Sequence, residues 1–233
     1  MKKLILLSSL IGSATLYAQN IWFIQATLGT GVTATSTVLG DYNNIKDGPR
    51  SAAAAQLLLG YRHQDLIFRA GLAYLQAGHT GYVDQDPSNE YLTNQYQVNN
   101  YLAIPLSIGY NIQLGPRLSI VPAIGYSLGF MTSTTRSVLY QPEISLFSSY
   151  RLPSVTYMET RSASGINSFA SVQIELDYKL NSKLSITAGP QGQFNFSQEI
   201  PNNTDFFRPY TYTFNVGLKY AFSHKHSEIR SAQ

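Results

Sequence analysis

The feature that most limits how this chain can fold is a period-two alternation of apolar and polar residues. It is sharpest near the C-terminus, where Tyr212, Phe214, Val216, Leu218, Tyr220 and Phe222 interleave with Thr211, Thr213, Asn215, Gly217, Lys219 and Ala221. Side chains along a strand point to opposite faces in turn, so this segment has one apolar face and one polar or small face. The same parity recurs over residues 184–197, 169–180, 118–131 and 101–112. Residues 66–77, 52–62 and 21–31 complete a set of eight candidate strands.

The connections alternate in length. Short turns fall at residues 63–65, 113–117 and 181–183, and long polar segments near 32–51, 78–97, 132–168 and 198–209. Short turns at one end and long loops at the other are the asymmetry of bacterial outer-membrane barrels, with the turns in the periplasm. A soluble β-sandwich or lipocalin-like barrel also shows period-two strands, but it has no need of aromatic residues at both strand ends. Here Trp22, Tyr61, Phe68, Tyr110, Tyr178, Tyr220 and Phe222 lie by the turns, and Tyr74, Tyr126, Phe130, Phe194, Phe196 and Tyr212 toward the loops. Two girdles around an apolar band match the two membrane interfaces. The expectation is an all-β fold: an eight-stranded antiparallel up-and-down transmembrane β-barrel with short periplasmic turns and long extracellular loops. Pro105, Pro122 and Pro190 fall inside strands, where each removes a ladder donor. A bulge or a rim position is expected at each.

The N-terminus fixes the compartment. Lys2 and Lys3, the apolar run 4–11 and the small-residue zone at Tyr17-Ala18-Gln19 have the order of a secretory signal peptide, with cleavage after Ala18. The expected organisation is therefore a signal peptide over 1–18, an outer-membrane barrel over 19–222 and a polar tail over 223–233. Without Lys2 and Lys3, the 16 basic residues fall to 14 against 13 acidic ones, a net charge of +1. The charge balance thus offers nothing to nucleic acid. The chain has no cysteine, which excludes disulfides and thiol-ligated metals.

The segment Tyr101-Leu102-Ala103-Ile104-Pro105-Leu106, running on to Gly109-Tyr110, resembles the fourth strand of the PorT-like outer-membrane β-barrel family common in Bacteroidota. Together with the export signal and the strand rhythm, the resemblance covers essentially the whole mature chain. It implies an integral outer-membrane protein, and for some members a part in protein secretion or gliding machinery. Such barrels often end on an aromatic residue that the barrel-assembly machinery reads. Phe222 would be that residue, here followed by a polar tail.

Two sets of residues are candidates for function. By parity, Arg62, Arg69, Glu175, Asp177, Lys179 and Lys219 point into the lumen. Eight strands make a lumen that side chains can fill, so these charges are expected to pair as a structural plug that closes it. In the longest loop, Tyr140, Phe147, Tyr150, Arg151 and Tyr157 are of the types that dominate binding hot spots. Part of this loop, 138–157, is expected to extend the barrel as a hairpin. No cofactor, metal site or catalytic residue is expected. His224 and His226 lie in the tail without a carboxylate framework, and acidic Asp84, Asp86 and Glu90 are at most a loose cation site. The expected partners are outer-membrane lipid, lipopolysaccharide, the assembly machinery and an envelope protein. The expected role is non-catalytic, structural or loop-mediated binding. The alternatives are a secretion or gliding component, and a rim-sited lipid-modifying enzyme using His79.

Overall fold

A computed structural model describes residues 20–38, 45–83, 91–142, 155–162, 165–196 and 206–222. Among these residues the elements are β1 (Ile21–Val38), β2 (Ile45–Gly48), β3 (Arg50–His63), β4 (Leu66–Val83), β5 (Tyr91–Tyr110), β6 (Ile112–Gln113), β7 (Leu118–Pro142), β8 (Val155–Ser162), β9 (Ile166–Lys179), β10 (Leu184–Asn195) and β11 (Phe206–Phe222). Eight of them form the wall in the order β4-β3-β1-β11-β10-β9-β7-β5, and β5 pairs back onto β4. All pairings are antiparallel, and the β4–β5 pairing joins the two ends of the order, so the barrel is closed and the wall has no free edge.

Parity decides which residues meet lipid. Outward positions carry large apolar side chains left uncovered by protein, such as Leu28, Leu57, Ile124 and Val172. Trp22, Phe68, Tyr110, Tyr178, Tyr220 and Phe222 ring the turn end of this band, and Tyr74, Tyr126, Phe130 and Tyr212 its other margin. The inward neighbours are mostly small or polar: beyond the apolar Phe23, β1 presents Gln25, Thr27 and Thr33 to the lumen, all buried. The fold is thus inside out relative to a soluble barrel, with its apolar face turned outward.

The turns are locally built. Gln64 takes a positive φ of 56° between β3 and β4. Between β9 and β10, Asn181 Oδ1 accepts the backbone N–H groups of Lys183 and Leu184, each at 2.8 Å. An Asn side chain that satisfies following backbone donors is a strong turn former.

Two expectations need correction. The long polar segments are not simply loops, because β1, β4, β5 and β7 run well past the apolar band. β5 and β7 stay paired up to Tyr91 and Pro142, β2 pairs with β4 over Thr80–Val83, and β8 pairs with β7 from Ser133↔Ser162 to Tyr140↔Val155. Part of the wall therefore continues as a raised sheet. Alternation failed to mark it because beyond the lipid neither face need be apolar, as in the run Thr93-Asn94-Gln95-Tyr96-Gln97.

The prolines likewise produce neither bulge nor rim position. Around Pro105 the β4–β5 ladder skips the positions between Ala70↔Leu106 and Ala73↔Ala103, then resumes in the same register. Pro190 does the same between β9 and β10, and Pro122 between Gly109↔Ala123 and Ile112↔Ile120. On the opposite side each proline is paired, with Ser127, Phe214 and Ile174 respectively. A residue in an antiparallel ladder directs its N–H and C=O to one neighbour only, so a missing donor opens one seam and spares the other. The register shift between β5 and β7 lies instead at Asn100/Tyr101, at the top of the band.

Candidate functional site: the filled lumen and the raised rim

The lumen is organised in tiers that follow each strand inward position by inward position. Nearest the turns, Phe23, Ile67 and Val121 form a buried apolar cluster with Ala221 against it. Next come the charges. Glu175 on β9 accepts from Arg69 Nη2 at 3.0 Å, an ion pair that crosses the lumen between strands that are not neighbours. Glu175 also accepts from Gln25 Nε2 at 2.6 Å and from Gln173 Nε2 at 3.3 Å. Lys219 donates to Asp177 and lies 3.5 Å from Glu175, with its ammonium 5.1 Å from the centre of the Phe23 ring. Two cations and two carboxylates balance. Arg69 is 4 % exposed and Glu175 1 %, so the balance is required: a lone charge at such depth costs several kcal/mol.

Above the charges is an amide tier. Gln191 Oε1 accepts from Asn215 Nδ2 at 2.7 Å and from Gln56 Nε2 at 2.9 Å. A second apolar cluster then fills the bore, made of Ala54, Leu75, Ala77, Tyr101 and Phe169 with Met131 against it. The Tyr101 and Phe169 rings meet edge to face with centroids 5.2 Å apart. Beyond this cluster the lumen becomes polar again, with Thr211 donating to Thr33 and Asn195 to Asn167.

Of the six lumen charges anticipated, the structure brings Arg69, Glu175, Asp177 and Lys219 together. Arg62 and Lys179 do not join them, which corrects the expectation. Arg62 turns to its own hairpin, donating to the Gln64 carbonyl at 2.7 Å and lying 3.6 Å from Asp65. Lys179 is half-buried at the last position of β9 and makes no ion pair with another described residue. Both sit where water reaches, so neither has to pair. The sequence reading missed Gln25, Gln173 and Thr187, whose Oγ1 accepts from Gln25 Nε2 at 3.3 Å, as network members. A polar Gln25 between Ile24 and Ala26 was a usable signal, since parity turns it inward.

The loop candidates fall on the raised sheet or beyond the described residues. Tyr140 and Tyr157 occupy strand positions, with Val138↔Tyr157 and Tyr140↔Val155 in register. Phe147, Tyr150 and Arg151 lie outside the described residues, as do the leader 1–18, the tail 223–233, and the acidic Asp84, Asp86 and Glu90. His79 lies on β4 opposite Gln97, a backbone position only. Among the described residues no group of three or more His, Cys, Asp or Glu is arranged to hold a metal ion.

A family model described as outer membrane protein beta-barrel domain matches residues 4–222. Among solved structures, Neisserial surface protein A is 16 % identical, with 86 % of this chain and 97 % of that chain covered and a TM-score of 0.44. The outer membrane protein OprG of Pseudomonas aeruginosa is 11 % identical, with 89 % and 98 % covered and a TM-score of 0.44. The outer membrane protease OmpT of Escherichia coli is also 11 % identical, with 91 % and 99 % covered and a TM-score of 0.43. No curated protein sequence matches the chain. An apolar outer face between two aromatic girdles, eight closed strands and the family match over nearly the full length lead to one conclusion: the chain belongs to the outer membrane protein beta-barrel domain family and is an integral protein of the outer membrane, in contact with its lipid.

Proposed function

We propose that this protein is a non-catalytic barrel with a closed lumen, working through the raised rim as a binding or structural element of the envelope. The observation that carries this reading is the Tyr101–Phe169–Leu75 tier, which occupies the bore with side chains 4 % exposed or less. The rim supports the binding half: β7 and β8 lift Tyr140 and Tyr157 above the apolar band on a hydrogen-bonded sheet. A rigid support of this kind suits recognition better than a free loop, because less conformational entropy is lost on binding. The ligand class that fits the setting is lipopolysaccharide or an envelope protein facing the same surface, and the assembly machinery would meet the barrel during insertion. The Tyr101–Tyr110 segment supports placing the chain in the PorT-like group of Bacteroidota, with a secretion or gliding role as the second reading.

The test is to replace residues 135–160 by a two-residue Asn-Gly turn and reconstitute both proteins. Wild type is expected to bind purified lipopolysaccharide, and the trimmed barrel to fold but bind at least tenfold more weakly. Full binding by a folded trimmed barrel would refute the rim reading. Discrete single-channel currents from wild type would refute the closed lumen. A deletion strain with an altered set of secreted proteins would favour the secretion role, and a lipid A profile that changes on His79→Ala would favour the enzyme.

A further inference from the structure

The lipid-facing wall is not evenly filled. On its outer surface the antiparallel register lines up Trp22, Tyr61, Phe68, Ile108 and Ile124 across β1, β3, β4, β5 and β7. One row nearer the loops stand Leu59, Ala70, Leu106 and Tyr126. Ala70 is the small residue among these large ones, and the two rows enclose an outward groove of about 750 Å³ whose lining is nearly all apolar. Strands of a transmembrane barrel are tilted by about 35–45°, so a row perpendicular to them climbs through the membrane. The first row accordingly starts at Trp22, close to the turn end of β1, and reaches Ile124 well inside β7. At the foot of the groove the contacts change from apolar to polar in steps. The Trp22 and Tyr61 ring centroids are 4.9 Å apart, and the Tyr61 and His63 rings stack at 6.5 Å. Beside His63, the Arg62 guanidinium is held at the turn by the Gln64 carbonyl, 2.7 Å from Nε. Its pairing with Asp65 at 3.6 Å is exposed, and exposed pairs are worth little, so the charge is not cancelled. Among the described residues of the turns and adjoining strand ends, Arg62, Arg117, Lys179 and Lys183 stand against Asp65 alone. At the groove's other end the Tyr126 hydroxyl is bonded to Ser168 Oγ at 2.8 Å.

We propose that this groove seats one anionic glycerophospholipid of the turn-side leaflet, with its phosphate against Arg62 and His63 and an acyl chain laid along Ala70. The site goes beyond the reading of lumen and rim and depends on neither. Lipid tails compete for an apolar groove on nearly equal terms, because hydrocarbon gains nothing by leaving hydrocarbon. The groove can hold a chain, but the choice of lipid falls to the headgroup. Arginine offers a phosphate a planar fork of donors, and a basic residue near a membrane surface favours anionic lipid. A lipid entering from the opposite leaflet would set its headgroup beside Tyr126, whose hydroxyl is already engaged. A second copy of the chain is a poorer occupant, since two barrels inserted in the same orientation would bring their basic feet together.

The test uses Trp22, the sole tryptophan, as a probe that lines the groove itself. The full barrel is refolded into vesicles of phosphatidylcholine and phosphatidylglycerol, with bromine on the acyl chains of one lipid or the other. Quenching of Trp22 emission then gives the relative binding constants of the two lipids. Wild type is expected to favour phosphatidylglycerol by roughly fivefold or more, the worth of one basic residue at a membrane surface. Arg62→Gln combined with His63→Gln should bring the ratio close to one. Ala70→Phe, an apolar change on the lipid face, should lower it too, because the ring fills the groove while the cations stay. Lys183→Gln, on the turn between β9 and β10 and so away from the strands that line the groove, should leave it unchanged. Heat-modifiable gel mobility establishes that each variant is folded. Equal quenching by the two lipids in wild type would overturn the proposal, as would a Lys183→Gln loss as large as that of the Arg62 variant, which would mean general surface charge. A preference untouched by Ala70→Phe would place the lipid outside the groove. Trp22 shielded from both lipids, together with cross-linked pairs of barrels, would give the groove to a second copy.

Discussion

Replacing Glu175 by Gln tests the lumen most directly, since the substitution keeps the shape and removes one charge. In wild type, Oε2 accepts from Gln25 and Gln173 while Oε1 faces Arg69 Nη2 and Lys219 Nζ. An amide cannot serve both sides. If its oxygen faces the two glutamines, its NH₂ group meets Arg69 and Lys219; turned over, it meets two amide donors. The variant also leaves one buried cation in excess. Removing one partner of a buried pair costs about 3–5 kcal/mol. At about 1.4 kcal/mol per decade, the folding equilibrium constant should fall by roughly two to three and a half orders of magnitude. Trp22, the sole tryptophan, sits half-exposed on the lipid-facing surface and reports unfolding by its emission in a urea titration of the vesicle-inserted barrel. Heat-modifiable gel mobility gives an independent reading of the folded fraction. A double variant, Arg69→Met with Glu175→Leu, removes both charges and leaves the Lys219–Asp177 pair, so at least half of the loss should return. If Glu175→Gln matched wild type within about 1 kcal/mol, or the double variant were as weak as the single one, the charges would not be coupled as the distances indicate.

Three further outcomes follow from the same geometry. Gly60→Ala should destabilise by about 1–3 kcal/mol in the same titration, because the new methyl would lie 2.0 Å from the Phe23 ring and must push it into the lower apolar cluster. Ile124→Arg, on the lipid face in the middle of the band, should cost about 2–4 kcal/mol, whereas Ser182→Arg, exposed in the turn between β9 and β10, should change stability by less than about 0.5 kcal/mol. Pro105→Ala restores a donor where the β4–β5 ladder skips, so its new amide should be protected in hydrogen exchange, with a gain of about 0.5–1.5 kcal/mol; rapid exchange there would show that the seam stays open for another reason.

How far the sequence disclosed this protein depends on where lipid is. Within the band, one face of each strand must be apolar, so the alternation from Tyr212 to Phe222 marked a strand and its outward face together. Above the band that constraint lapses. Residues 93–100 hydrogen-bond to two neighbours yet show no one-sided pattern; the added lengths of β4 and β5 were read as loop, and above the band at β7 only 138–157 was expected to continue as a hairpin. Parity also placed charges in the lumen without saying which would meet. Arg69 finds Glu175 because strand tilt and register bring β4 and β9 positions to the same level, and neither quantity is written locally. Arg62, two residues past Gly60, has the same parity as the plug but reaches its own turn first. The prolines misled because a missing donor was weighed against the whole strand, when an antiparallel ladder charges it to one seam.

The unequal strand lengths have a consequence for how the molecule meets its surroundings. β10 has 12 residues and β7 has 25. At about 3.3 Å of rise per residue, one side of the described wall is roughly twice as tall as the other. The barrel therefore has a front and a back. Seen from outside the cell the described wall resembles an awning more than a tube, highest over β4, β5 and β7 and lowest at β9 and β10. Anything that binds at the tall side does so from a fixed compass direction, so rotation of the barrel about its axis, of no account for a symmetric pore, becomes a variable that neighbours and crowding in the membrane can control.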